Sequence, residues 1–171
     1  MLFRSVSVMR LQGRRIVSMA FLPDGDSLVV GGSDGSISCV RTTKQLTGPI
    51  FRLCHSALWD MMVLGESDEL VACCDNGFLY RFAFYGGEPQ DAERVVVSKF
   101  GEAVWCLANV PITDEIAMGR NTQIVFYSVE AYAITRRIML PGEEVPVWTL
   151  SYDSCFHRLF VGRASRGQAL I

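Results

Sequence analysis

Apolar residues along the 171-residue chain fall in short runs rich in Val, Ile, Leu, Phe and Trp. Between the runs stand Pro23-Asp24-Gly25, Asp34-Gly35, Asn76-Gly77 and Gly86-Gly87. Such pairs reach the positive backbone dihedrals of tight turns, so the pattern reads as strand, turn, strand. One stretch, 131–140, can also be written as a helix. Its Ile134-Thr-Arg-Arg-Ile138 centre has no cap and fits a strand as well, so the chain is predicted to be all-β.

Many short strands at regular spacing call for a test of internal repetition. Four runs align: Ile16-Val-Ser-Met19, Leu58-Trp-Asp-Met61, Val104-Trp-Cys-Leu107 and Val147-Trp-Thr-Leu150. A second set follows them: Leu28-Val-Val-Gly31, Leu70-Val-Ala-Cys73, Ile116-Ala-Met-Gly119 and Leu159-Phe-Val-Gly162. Each second run starts eleven residues after its anchor, which is Val17, Trp59, Trp105 or Trp148. Successive anchors lie 42, 46 and 43 residues apart, within or close to the roughly 40 to 45 residues of a four-stranded propeller blade. Inner strands of stacked blades are covered on both faces and therefore read apolar throughout. The small residues Gly31, Cys73, Gly119 and Gly162 are expected where a strand approaches a crowded central axis.

Val17-Ser-Met-Ala-Phe-Leu-Pro-Asp-Gly25, followed by Leu28-Val-Val-Gly-Gly-Ser-Asp-Gly-Ser-Ile37, resembles a repeat of the WD-repeat β-propeller family. The second unit matches through Leu70 to Leu79, and the third and fourth match by spacing. This resemblance implies a circular scaffold of four-stranded antiparallel blades that serves as an interaction platform without chemistry of its own. Where the family's Trp-Asp pair would end the third strand, the chain has Val40-Arg41, Phe82-Ala83 and Tyr127-Ser128. Trp59-Asp60 lies in the wrong strand and is a coincidence of that motif. His55 stands at the family's histidine position, but its unit has Asn76 where an Asp belongs; Asp34 is in place, but its unit has Gly13 where the His belongs. The family's His–Asp network is therefore expected to be absent.

Residues 1–171 are read as a single partial propeller domain, with units starting near 14, 56, 102 and 145. Outer strands are expected at 2–11, 45–53, 94–100 and 134–140. The count comes to about three and a half blades, an open arc that ends inside a blade.

Composition narrows the chemistry. Half the residues are hydrophobic, and 18 acidic against 16 basic residues leave a net charge of −2, so long-range attraction to phosphate backbones is not expected. Nucleic acid and membrane are accordingly disfavoured as partners. Six cysteines sit within or beside apolar runs with no secretory signal before them, which suits free thiols in a reducing, cytoplasmic compartment. Adjacent Cys73 and Cys74 should face opposite sides of a strand, which makes a mutual disulfide strained. The first 23 residues lack acids and carry Arg4, Arg10, Arg14 and Arg15 among serines, so a mitochondrial address is the alternative to an N-terminal strand; a nuclear location is a further option.

No cofactor or metal is expected: His55 beside Cys54, and His157 beside Cys155, fall short of the three or four spaced ligands that zinc needs. No nucleophile elbow or phosphate-cradling loop occurs, and two histidines leave little for proton transfer. The chain is therefore read as not an enzyme. Glu143-Glu144 and Asp114-Glu115 are expected to be solvated turn residues. The loops entering each unit, and the second turn within it, share one rim of a propeller. That rim offers Arg14, Arg15, Asp34, His55, Asp75, Asn76, Arg120, Asn121, Arg163 and Arg166 as candidate partner-binding residues, alongside Glu102, Glu143 and Glu144. The expected function is a protein–protein interaction scaffold, completed by self-association or by another protein through its exposed end blades. The alternatives are a divergent propeller hydrolase, and a propeller that binds anionic membrane or nucleic acid through the rim arginines.

Overall fold

A computed structural model of the chain describes residues 15–44, 46–65, 69–85, 88–96, 101–165 and 168–170. Its elements are β1 (Ile16–Phe21), β2 (Ser27–Gly32), β3 (Ser36–Arg41), β4 (Leu46–Arg52), β5 (Leu58–Val63), β6 (Glu69–Cys74), β7 (Phe78–Tyr85) and β8 (Glu88–Val96), then β9 (Cys106–Val110), β10 (Glu115–Gly119), β11 (Gln123–Ser128), β12 (Ala133–Met139), β13 (Val147–Asp153), β14 (Arg158–Ser165) and β15 (Gln168–Leu170). They form four antiparallel sheets in chain order: β1 to β4, β5 to β8, β9 to β12, and the three-stranded β13 to β15. Among the described residues no helix is long and apolar enough to cross a membrane.

The core lies between sheets. Val29, Ile37 and Cys39 of the first sheet meet Leu58, Leu70, Ala72 and Cys74 of the second. Val71, Cys73 and Leu79 of the second meet Val104, Leu107, Ile116 and Met118 of the third. Ala117, Ile124 and Phe126 of the third meet Val147 and Leu150 of the fourth. Strand β6 shows how one sequence serves two interfaces: Leu70, Ala72 and Cys74 point to the first sheet, while Val71 and Cys73 point to the third. Period-two alternation between two apolar layers leaves no polar position, which is why the run Leu70 to Cys74 is continuously hydrophobic. Cys73 and Cys74 thus point to opposite sides, and the cysteines are free thiols.

Two turns fix the sheets to each other. Gly35 (φ 78°) and Gly77 (φ 76°) sit in the left-handed region that L side chains rarely enter. A Cβ at Gly35 would run into the Cys54 carbonyl, and one at Gly77 would stand 2.7 Å from the Glu102 carbonyl. Each turn is braced by the residue before its glycine: Asp34 Oδ1 accepts from Ser36 N–H (3.1 Å) and Asn76 Oδ1 from Phe78 N–H (3.2 Å).

Three expectations need correction. The outer strand of the second sheet begins at Glu88 rather than at 94, while 97–100 lie outside the described residues: Glu88–Val96 pairs with β7 through backbone groups, so the polar stretch before Arg94 belongs to the strand although its residues carry no apolar signal. Position 2–11 lies outside the described residues. The strands nearest one another across sheets are the first of each unit, β1 beside β5, β5 beside β9 and β9 beside β13, not the second. Gly31 and Gly119 make room for the next sheet instead: a Cβ on Gly31 would stand 3.0 Å from Met61 Cε, and one on Gly119 would stand 2.8 Å from Val147 Cγ1, whereas one on Gly162 would meet Thr149 of its own sheet. Finally, Glu115 is buried rather than solvated, because it opens β10 and reaches across the sheet to Arg136 Nη2 (3.0 Å) and the Thr113 hydroxyl (2.8 Å), with Thr135 as a third donor.

Candidate functional site

Three of the innermost strands carry a register irregularity at their anchor. In β1 the register passes from Ile16↔Gly32 to Ser18↔Gly31, skipping Val17; in β5 it skips Trp59, and in β13 it skips Trp148. Trp105 N–H bonds the carbonyl of Gly119, the residue already paired with Cys106. A bulge of this kind re-aims the extra side chain out of the sheet. Bulges at Trp59 and Trp148, with Trp105 just ahead of β9, bring three indoles onto one another. Trp59 and Trp105 lie with ring centroids 4.8 Å apart, and Trp105 and Trp148 lie 5.0 Å apart, tilted by 47° and 53°. Trp59 and Trp105 are half-buried and Trp148 is 49% exposed.

The row is anchored to the rim formed by the interblade loops and second turns. Trp59 Nε1 donates to Asp75 Oδ1 (3.3 Å), and Trp105 Nε1 to Asn121 Oδ1 (2.9 Å), each sixteen residues downstream in its own unit. The loops close against the turn of the preceding sheet: Leu53 and Cys54 N–H bond Gly35 O, Val104 N–H bonds Cys74 O, and Val147 N–H bonds Arg120 O.

Among the residues singled out in the sequence, the rim separates into three groups. Arg15, Asp34, His55 and Asp75 are exposed. Asn76 and Asn121 are half-buried; Asn76 also donates to the Tyr80 hydroxyl (3.2 Å). Arg120 and Arg163 are buried and turned inward, Arg120 to the Glu102 carboxylate and Arg163 to the carbonyls of Pro141 (2.7 Å) and Glu143 (2.5 Å). Arg14 and Arg166 lie outside the described residues.

The residue after each anchor does a second job that sequence reasoning missed. Ser18 Oγ accepts from Met61 N–H (3.0 Å), Asp60 Oδ2 accepts from Leu107 N–H (2.9 Å), and Cys106 Sγ meets Val147 O (3.2 Å). All three reach from one innermost strand to the edge of the next, where backbone groups have no strand partner. Asp60 also takes the Ser18 hydroxyl and its neighbour's Met61 N–H on Oδ1, so both oxygens are occupied. Burial pushes its carboxyl up, against the pull of those hydrogen bonds. A polar residue directly after a large anchor, inside an otherwise apolar run, was the available signal.

One thiol pair also stands out. Cys54 Sγ and Cys74 Sγ are 3.0 Å apart in the core between the first two sheets. The hydrogen bond with Cys74 brings the Cys54 thiol down to about 6, against burial, and raises its partner. Among the described residues no group of three His, Cys, Asp or Glu is placed to hold a metal ion.

No family model matches the chain, and no curated protein matches it. Among solved structures, the β-propeller domain of Cps50 (Swd1) from Myceliophteria thermophila superposes with a TM-score of 0.71 at 12% identity, covering 90% of this chain and 49% of that one. The chain thus spans about half the length of that propeller. Four radially stacked antiparallel sheets, their first strands side by side, have the fold of a β-propeller arc, the architecture of the WD-repeat proteins that the sequence resembles.

Proposed function

We propose that the chain is a protein-interaction scaffold without catalysis of its own, and that its end blades are completed by association, in the first instance with a second copy. WD-repeat propellers in general bind other proteins. The observation that carries the finer reading is the match between the two ends of the arc. On the outer face of the first sheet Met19 is 58% exposed and Phe21 59%; on the far side of the fourth, Phe160 is 44% exposed and Thr149 is exposed.

These are the two halves of the contact that recurs inside the arc. Thr149 continues the column of Ser18, Asp60 and Cys106, and Met19 is the counterpart of Met61 and Leu107, whose N–H groups that column caps. An apolar face edged by an unused copy of the interblade connector favours a blade as its occupant. Head-to-tail closure of two copies gives a closed symmetric ring.

Two of the rim arginines, Arg120 and Arg163, are spent internally, which weighs against an anionic membrane or a nucleic acid as the partner. The hydrolase reading finds Asp60 on an innermost strand with both carboxylate oxygens already accepting hydrogen bonds.

The test is size-exclusion chromatography with light scattering on Met19→Lys and Phe160→Lys variants. Each is expected to shift the wild-type assembly toward the monomer. Assembly unchanged in both would refute closure through the ends.

A further inference from the structure

The first interblade junction holds two thiols that the interaction-scaffold reading leaves without a role. Cys54 is the second residue after β4, on the loop that leads into β5, and Cys74 ends β6; their Sγ atoms stand 3.0 Å apart among the side chains between the first two sheets. A disulfide holds its two sulfurs about 2.0 Å apart, so a small turn of both side chains spans the difference. The backbones of the pair carry the junction's own hydrogen bonds. Cys54 N–H donates to Gly35 O in the first sheet's turn (3.2 Å), and Cys74 O accepts from Val104 N–H in the loop ahead of β9 (3.2 Å). The two cysteines differ in access and in charge. Cys74 is fully buried, whereas Cys54 keeps 5% exposure between half-buried Leu53 and exposed His55, so the loop is the side from which a small reagent reaches it. Cys74 donates its S–H to the Cys54 sulfur and thereby holds the Cys54 thiol near 6, against burial, which makes Cys54 the thiolate at neutral pH. Ser56 turns its hydroxyl to the same sulfur as a donor (3.7 Å) and its carbonyl as an acceptor for the protonated form (3.1 Å).

We propose that Cys54 and Cys74 are a redox modification site, at which hydrogen peroxide closes a disulfide that ties the interblade loop to β6. The inference goes beyond the scaffold reading and does not depend on which partner the arc binds. The Cys54 sulfur attacks the peroxide O–O bond, forming an S–O bond as the O–O bond breaks; the departing hydroxide takes a proton from solvent and leaves as water, and Cys54 becomes a sulfenic acid. The Cys74 sulfur then attacks the Cys54 sulfur. An S–S bond forms as the S–O bond breaks, and the Cys74 proton leaves with the hydroxide as a second water. Two thiols are thus oxidised by two electrons, and one hydrogen peroxide is reduced to two waters. A thiol reductant reverses the step by exchange at either sulfur. The neighbouring cysteines do not share this arrangement. Cys39, in the same core, has Ser27 rather than a thiol beside its sulfur, and burial pushes its thiol up. Cys73 points to the third sheet, away from Cys54.

The test adds hydrogen peroxide to the reduced full chain carrying Cys155→Ser, which removes the exposed thiol, and follows it by alkylation and mass mapping without reduction. A link between Cys54 and Cys74 is expected, with fragmentation placing it on Cys74 and not on Cys73, and dithiothreitol should remove it. Oxidation at Cys54 should outpace that at Cys39 by about fivefold or more. The linked chain should unfold at higher urea than the reduced one, since the bond constrains the unfolded chain. In Cys74→Ala the same treatment should leave a Cys54 sulfenic acid that dimedone traps. Mapping of the chain with both cysteines needs no core substitution, so it decides even where Cys74→Ala does not fold. Cys54 and Cys74 no more oxidised than Cys39, a link that forms only in urea, or a link to Cys73 would overturn the proposal. A linked chain whose unfolding midpoint is unchanged or lower would overturn the tie between loop and strand. Light scattering on the reduced chain reads assembly separately, so failure of the thiol pair leaves the scaffold reading standing.

Discussion

Asp60→Ala probes the connector that holds neighbouring blades together at their inner edges. The carboxylate on β5 caps Leu107 N–H at 2.9 Å and accepts the Ser18 hydroxyl at 3.2 Å, so one side chain joins three sheets. Truncation leaves the Leu107 N–H without its acceptor beside a side chain only 6% exposed. Met61 N–H keeps a partner, because Ser18 Oγ is 3.0 Å away. One orphaned buried donor costs about 1–3 kcal/mol, which for a domain of this size lowers Tm by roughly 3–10 °C.

The sign of the pH dependence gives a second arm. Burial raises the folded-state pKa of Asp60 above its ordinary value of 3.8, so the folded chain takes up a proton while the unfolded carboxyl is still ionised. The contribution of this group to wild-type stability therefore rises as pH falls through the raised value toward 3.8. Asp60→Asn removes that component, and it can cap Leu107 only by turning its NH2 toward Met61 N–H. Urea and thermal unfolding followed by tryptophan fluorescence, at pH 7 and pH 4.5, measure both effects. An Asp60→Ala variant as stable as wild type at pH 7 would refute the interblade connector.

Other consequences follow from the same geometry. Cys54 should alkylate with iodoacetamide at a rate that is half-maximal near pH 6, and Cys74→Ala, which removes the donor, should move that midpoint up; mass-mapped labelling against pH reads it, and an unshifted midpoint contradicts the thiol pair. Glu115→Gln should cost about 1–2 kcal/mol at pH 7. Burial raises the Glu115 pKa, but the hydrogen bonds from Thr135 and Thr113 and the Arg136 charge outweigh it, so the folded value lies below 4.5. That stabilisation is present above pH 4.5 and fades as pH falls through the folded value, so the difference between wild type and Glu115→Gln in urea should shrink in acid.

The repeat was legible because it rests on local rules. Turn pairs such as Asp34-Gly35, and apolar runs such as Leu70 to Cys74, carry their conformation in adjacent residues, and a fixed spacing of eleven links them. The outward turn of the tryptophans was not legible. Period-two alternation assigns Trp59, Trp105 and Trp148 a face only within an unbroken register, and Trp59 and Trp148 sit at register breaks while Trp105 lies just ahead of β9. Glu115 was misread for a related reason: Asp114-Glu115 has the composition of a turn, while its partner Arg136 is twenty-one residues away on another strand. Asp75 and Asn121 were found as rim residues, yet the indole bond each makes depends on those same placements.

In the proposed assembly the two ends of the arc of stacked blades are halves of one interblade contact. Sedimentation velocity of the wild-type chain across a hundredfold range of concentration tests it most directly. A reversible species of twice the 19.0 kDa chain mass, insensitive to salt and with little binding of a hydrophobic dye, is the predicted result. A concentration-independent 19.0 kDa monomer that binds no dye would contradict it.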